Sequence, residues 1–165
     1  MENGVQALSQ EIFDLISGTG KTISTAESCS AGRIATILTS IPGCSAYVKG
    51  GLVCYMDEIK ERLLHVDAEL MEKHTAVCEE VSRQMVEGAL ELFKSDYSVA
   101  VTGFAGPDGG TEENPVGTIW IAVGSATMIK TRKAYFNFSR EENTTKAVEV
   151  AMIMLRDFIK DALAE

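Results

Sequence analysis

The stretch Ser24–Gly32, S-T-A-E-S-C-S-A-G, crowds hydroxyls, a carboxylate and a thiol into nine residues. It follows the β-branched run Thr22–Thr25 and precedes Ile34, Ile37, Leu38 and Ile41, whose offsets of 3, 4 and 7 trace one face of a helix. A serine on such a strand-to-helix turn is placed for nucleophilic attack. Ser28 or Ser30 could equally cap the helix by accepting a free backbone N–H. The exposed N–H groups and positive dipole end of the same turn suit an anion.

A nucleophilic serine needs a base, and the two histidines are poor candidates. His65 and His74 lie nine apart on different segments, with no H-E-x-x-H pattern and no paired cysteines, so neither a metal site nor a Ser-His-Asp triad is expected. A lysine can serve where burial or a nearby positive charge lowers its pKa. Lys60 falls one turn into a helix after Tyr55, close to where the active loops should converge. Residues 103–117, G-F-A-G-P-D-G-G-T-E-E-N-P-V-G, hold five glycines and two prolines and form a long loop that opens just after Thr102. Loops of that length in compact domains are usually functional or disordered. Arg140 sits in the first turn of the last helix, against the dipole preference, which makes sense if it shares an anion with the helix end.

The elements that must position these residues alternate along the chain. Val5, Leu8, Ile12, Leu15 and Ile16 predict a first helix, ended by Gly18 and Gly20. The G-T-G-K-T run at 18–22 resembles part of a P-loop, but the motif's first glycine would fall on Leu15 and the order here is helix then strand. Tyr47–Tyr55 reads as a strand interrupted by Gly50-Gly51, and Asp57 as the N-cap of the next helix. A short helix follows Asp67, and Glu79–Phe93 forms a long amphipathic one. Tyr97–Thr102, Thr118–Val123 and Ile129–Phe138 read as strands, the last two as a hairpin. Ser139–Glu142 has the S-x-x-E form of a capping box for a helix reaching about Leu163. Together these predict one domain over 1–165, an α/β fold of the three-layer α/β/α sandwich type with a mixed five- or six-stranded sheet. Ligands in such sheets gather at the strand ends.

Composition narrows the partners. Fifteen Lys and Arg against twenty-four Asp and Glu leave a net charge of -9, which disfavours nucleic acid. No apolar run is long enough for a membrane span, and Met1-Glu2-Asn3 lacks the features of a signal peptide. Cysteines 29, 44, 54 and 78 show no C-x-x-C spacing. Free thiols in the reducing cytoplasm are therefore expected.

Four motifs in order, A-E-S-C-S-A-G at 26–32, P-G-C-S-A-Y-V-K-G-G at 42–51, Y-M-D-E-I-K at 55–60 and T-G-F-A-G-P-D-G-G-T-E-E-N-P-V-G-T at 102–118, closely resemble the C-terminal domain family of the competence/damage-inducible protein CinA. That family includes stand-alone nicotinamide mononucleotide (NMN) deamidases. The resemblance implies a three-layer α/β fold, hydrolysis of NMN to nicotinate mononucleotide and ammonia, no metal or cofactor, and a homo-oligomer acting on a small-molecule nucleotide. Carried onto this chain, the family's serine falls on Ser28, its lysine on Lys60, its tyrosine on Tyr55, its threonine on Thr102 and its phosphate-side arginine on Arg140. Backbone at Ser30, Ala31, Gly32, Gly103 and Gly106 is expected to contact substrate or oxyanion.

Some positions depart from the family pattern. Ala31 stands where glycine is common, Met56-Asp57 replaces a Ser-Asn pair, and Phe138-Ser139-Arg140 replaces Gly-Asp-Arg. A second arginine expected near Thr144 is missing, with Lys146 as a substitute. The changes fall on the phosphate side, which keeps two other readings open: a non-catalytic nucleotide-binding or regulatory module, and hydrolysis of a related small amide.

Overall fold

The computed structural model describes Glu2–Glu165. Eleven principal elements run in the order α1 (Glu2–Ile16), β1 (Ile23–Glu27), α2 (Arg33–Leu38), β2 (Val48–Val53), α3 (Asp57–Leu64), α4 (Ala68–His74), α5 (Glu79–Phe93), β3 (Tyr97–Gly103), β4 (Thr118–Gly124), β5 (Ile129–Tyr135) and α6 (Arg140–Leu163). The strands form one sheet ordered β2-β1-β3-β4-β5. Strand β1 is parallel to both its neighbours, while β3–β4 and β4–β5 are antiparallel. This is the mixed, three-layer sandwich expected from the sequence, with five strands.

The two faces of the sheet differ in side-chain size. Ile23, Val99, Val101, Ile119, Ile121 and Val123 pack with α1, α2 and α6. The opposite face carries Ala26, Ala100 and Ala122, which align across β1, β3 and β4 and pack with residues of α3, α4 and α5. This row of small side chains lets α5 lie close to the sheet, with Val81, Met85, Val86 and Ala89 inward. Because strand side chains alternate faces, Ser28, two residues beyond Ala26, and Thr102, two beyond Ala100, project to the α3–α5 side. They do so at the C-terminal ends of adjacent parallel strands. The chain leaves β1 toward β2 on one side and reaches β3 on the other, so this edge is also a topological switch point, where ligands bind in open α/β sheets.

Local signals account for most boundaries. Ser139 and Glu142 form the reciprocal capping box of α6, and Asp67 caps α4 by accepting from the N–H groups of Glu69 and Leu70. Three expectations are corrected. Strand β5 stops at Tyr135, opposite Thr118 where β4 begins, and one further in-register bond from the Phe136 N–H to Gly117 O closes the pair. Helix α2 ends at Leu38, three residues before Ile41, where a turn leads into Pro42-Gly43. Asp57 is the first residue of α3, with Met56 at the cap position, and its carboxylate is used elsewhere.

Among the described residues, no helix is long and apolar enough to cross a membrane. All four cysteines are free thiols.

Candidate active site

A cavity of about 260 Å³ opens at the switch point. The β1–α2 turn contributes Ser28 and Cys29, the segment entering α3 contributes Tyr55, Asp57 and Lys60, and the α4–α5 connection contributes Thr75, Ala76 and Val77. The end of β3 and the following loop supply Thr102–Gly106 and Asp108, and the start of α6 supplies Arg140. The structure thus brings Ser28, Lys60, Tyr55, Thr102, Gly103, Gly106 and Arg140 around one space. Ser30, Ala31 and Gly32 lie outside it.

Placement of Lys60 follows from helix packing. Gly88 on α5 meets the backbone of Leu64 so closely that any Cβ there would overlap it, which draws α3 against α5. Lys60 is 2% exposed as a result. Its stem is buried and its Nζ donates to Tyr55 O at 3.1 Å and to Asp57 Oδ1 at 3.4 Å. Lys60 and Ser28 face the same cavity without a direct hydrogen bond between them. Such contacts are often long in unliganded sites and tighten when substrate binds.

The β1–α2 turn is built differently from the expectation that Ser28 or Ser30 caps the helix. The capping group is Glu27, fully buried at the end of β1. Its two carboxylate oxygens accept from the N–H groups of Ile34 (2.9 Å) and Ala35 (3.0 Å), and Thr25 Oγ1 donates to it at 3.3 Å. The Glu27 carboxylate therefore already occupies the N-terminal end of α2. Ser30, Ala31 and Gly32, expected to contact substrate, do not line the cavity. Ser30 is fully buried with its hydroxyl unpartnered, while Ala31 and Gly32 take left-handed conformations (φ 51° and 91°) that swing the chain back over Glu27. The left-handed conformation at Ala31 is one that glycine adopts without steric cost.

Of the two reactive groups side by side in the cavity, the thiol is the inert one. Burial pushes the Cys29 thiol up to about 12, overriding its own backbone N–H and the charges of Lys60 and Arg140, all of which pull it down. A buried thiol in that range stays protonated at neutral pH and is a poor nucleophile. Ser28 lines the same cavity beside it. The Ser28 N–H donates to Val101 O at 3.0 Å, which pins the residue to the end of β3.

Opposite Ser28, Thr102 Oγ1 donates to Ala76 O at 3.0 Å, so its proton is engaged and its lone pairs are free to accept. Gly103 has no room for a side chain, since a Cβ would lie 2.9 Å from both Ile119 Cα and Thr118 O. Arg140 reaches over the loop, with Nη1 donating to Gly106 O (2.6 Å) and Nη2 to Tyr55 Oη (3.0 Å). Asn143, almost fully buried, fastens the loop to α6 by donating to Ala105 O (3.0 Å) and accepting from the Phe138 N–H (3.0 Å). Lys146 lies over the Phe138 ring, 4.9 Å from its centroid, and does not line the cavity.

Sequence reasoning missed Glu27, Asp57, Ala76–Val77 and Asn143. Asp57 and Lys60 carry an i,i+3 charge signal, and Glu27 stands in the same motif as Ser28. Ala76 and Val77 have no local signal, because they enter the site only through the packing of α4 and α5.

The sequence model of the CinA C-terminal domain family matches residues 5–159. A CinA-like protein of Mycolicibacterium paratuberculosis is 45% identical over 148 residues, covering 87% of this chain and 34% of its own length. One from Cytophaga hutchinsonii is 40% identical over 154 residues, covering 93% and 37%. The chain thus spans about a third of the length of the curated relatives it matches. Among solved structures, a CinA superfamily protein from Klebsiella pneumoniae superposes with a TM-score of 0.89 at 32% identity, covering 95% of this chain and 98% of that one. A competence/damage-inducible protein from Agrobacterium tumefaciens gives 0.89 at 36% identity, covering 92% and 93%. A shared fold, a match over nearly the whole chain and the common motifs lead to one statement: this chain belongs to the CinA C-terminal domain family.

Proposed function

We propose that the domain is an amidohydrolase that converts NMN to nicotinate mononucleotide and ammonia through an acyl-enzyme on Ser28. The observation that carries this reading is the convergence of Ser28, Lys60, Tyr55, Thr102 and Arg140, drawn from sequence positions 28 to 140, on one small cavity. Family membership supports it, since the four motifs that resemble NMN deamidases are the segments that line or support the site.

In this mechanism Lys60, in its amine form, takes the proton of Ser28 Oγ as the oxygen attacks the carboxamide carbon. The N–H groups of Ala105 and Gly106 have no acceptor among the described residues, and they supply donors for the oxyanion. The tetrahedral adduct collapses, the C–N bond breaks, and the Lys60 ammonium returns its proton to the departing ammonia. Water then gives a proton to Lys60 and attacks the ester carbon. The C–Oγ bond breaks, Ser28 is reprotonated and the carboxylic acid leaves. Arg140, which has no carboxylate within ion-pair distance among the described residues, holds the substrate's anionic group.

One observation favours the second reading, a non-catalytic nucleotide-binding module: Lys60 is paired with Asp57 and not with Ser28. Ammonia release from NMN by the purified protein separates the two. Ser28→Ala and Lys60→Ala should each abolish release without unfolding the protein. Full activity in either variant rejects the dyad, and NMN binding without turnover in the wild type selects the binding module.

A further inference from the structure

We infer that Asp57 is the positioning residue of the site: it orients the Lys60 amine so that its lone pair faces Ser28. This rests on the reading of Lys60 as the base. An amine nitrogen carries two N–H donors and one lone pair in a tetrahedral arrangement. In Lys60 the two partners of Nζ are a carbonyl, Tyr55 O, and a carboxylate oxygen, Asp57 Oδ1. Both can only accept. Each therefore claims an N–H, and one tetrahedral direction of Nζ, the third N–H of the ammonium or the lone pair of the amine, is left on a residue that lines the cavity. With Tyr55 O alone, the amine could rotate its lone pair away from the nucleophile. Nucleophile, base and a third group that orients the base form the arrangement by which serines and cysteines are generally activated.

A purely structural role fits Asp57 poorly. Its side chain is 58% exposed, so its contact with Lys60 is worth little to stability. It stands in the first turn of α3 yet caps no helix N–H; its recorded bond is to Lys60. Asp108 lines the same cavity but pairs with no lysine or arginine among the described residues, so Asp57 alone is placed for this task.

Two readouts test the inference: steady-state NMN hydrolysis, and the rate at which an alkyl fluorophosphonate labels Ser28. In labelling, the bond from Oγ to phosphorus forms, fluoride leaves and Lys60 accepts the proton. Asp57→Ala should lower both kcat and the labelling rate by about 10- to 100-fold, the cost of a misaligned reacting group, with KM little changed. Asp57→Asn keeps an acceptor oxygen without the charge and should restore most of both rates. Wild-type rates in Asp57→Ala, equal losses in Asp57→Ala and Asp57→Asn, or a change confined to KM would overturn it. If NMN is not hydrolysed but labelling still depends on Lys60 and Asp57, the substrate assignment fails and the inference stands. Labelling independent of Lys60 removes both.

Discussion

Two basic side chains line the cavity, and they are held in opposite ways. Lys60 is buried, sits on a helix pressed against α5, and is paired with a carboxylate. Arg140 is exposed at the start of α6 and is held only by neutral oxygens, Gly106 O and Tyr55 Oη. A basic group with its own carboxylate has little to offer an anionic ligand, whereas an arginine satisfied by neutral acceptors keeps its charge for one. Under the proposed function the contrast divides the labour: Lys60 is the group to move a proton at Ser28, and Arg140 the group to hold the far end of the substrate. The β1–α2 turn is left out of that division, because the Glu27 carboxylate has taken the helix end.

The sharpest way to break this division is Lys60→Met, which keeps the buried stem and deletes the amine. It should reduce kcat by about 10²- to 10⁴-fold, the usual worth of a general base. Arg140→Ala should instead raise KM for NMN by about tenfold with kcat little changed, as expected for a contact made equally in ground and transition states. Arg140→Lys should fall between the two proteins, because a lysine keeps the charge but loses the fork that spans Gly106 and Tyr55. Steady-state kinetics on the three variants decides this: a kcat effect at Arg140 or a KM effect at Lys60 would erase the contrast.

Smaller effects probe the scaffold. Glu27→Gln leaves one of the two helix N–H groups facing an amide that cannot accept with both ends, and should cost about 1–3 kcal/mol in denaturant unfolding. Ser139→Ala removes half of the α6 capping box and should cost about 1 kcal/mol. Cys29 tests burial by pH. Its folded-state value of about 12 lies above the ordinary 9.0, so the unfolded chain releases this proton first. The contribution is present below pH 9 and is lost as pH rises from about 9 to 12. Wild type should therefore lose stability faster than Cys29→Ala across that window, and equal slopes would show the thiol to be solvated.

Regular patterns carried the fold. The amphipathic repeat of Glu79–Phe93 and the S-x-x-E signal at Ser139 located α5 and the start of α6, and β-branched runs located β1, β3 and β4. Local chemistry around Ser28 was misread because the acid that caps α2 is not beside the helix. Glu27 lies on the preceding strand and reaches Ile34 only because Ala31 and Gly32 turn the chain back in left-handed conformations. Asp57 reads as a cap from sequence, but its carboxylate pairs with the Lys60 amine one turn along the same helix, a residue held inward where Gly88 lets α3 press against α5. The wall at Ala76 and Val77 is set by how α4 and α5 pack, which no nearby residue announces.

The central claim is a covalent bond to Ser28, and peptide mass spectrometry after rapid acid quench of the protein with NMN tests it most directly. The peptide containing Ser28 should gain the mass of NMN less ammonia during turnover, and the adduct should be absent from Ser28→Ala. Ammonia release at full rate with no adduct on Ser28, or an adduct on Cys29 instead, would contradict the account.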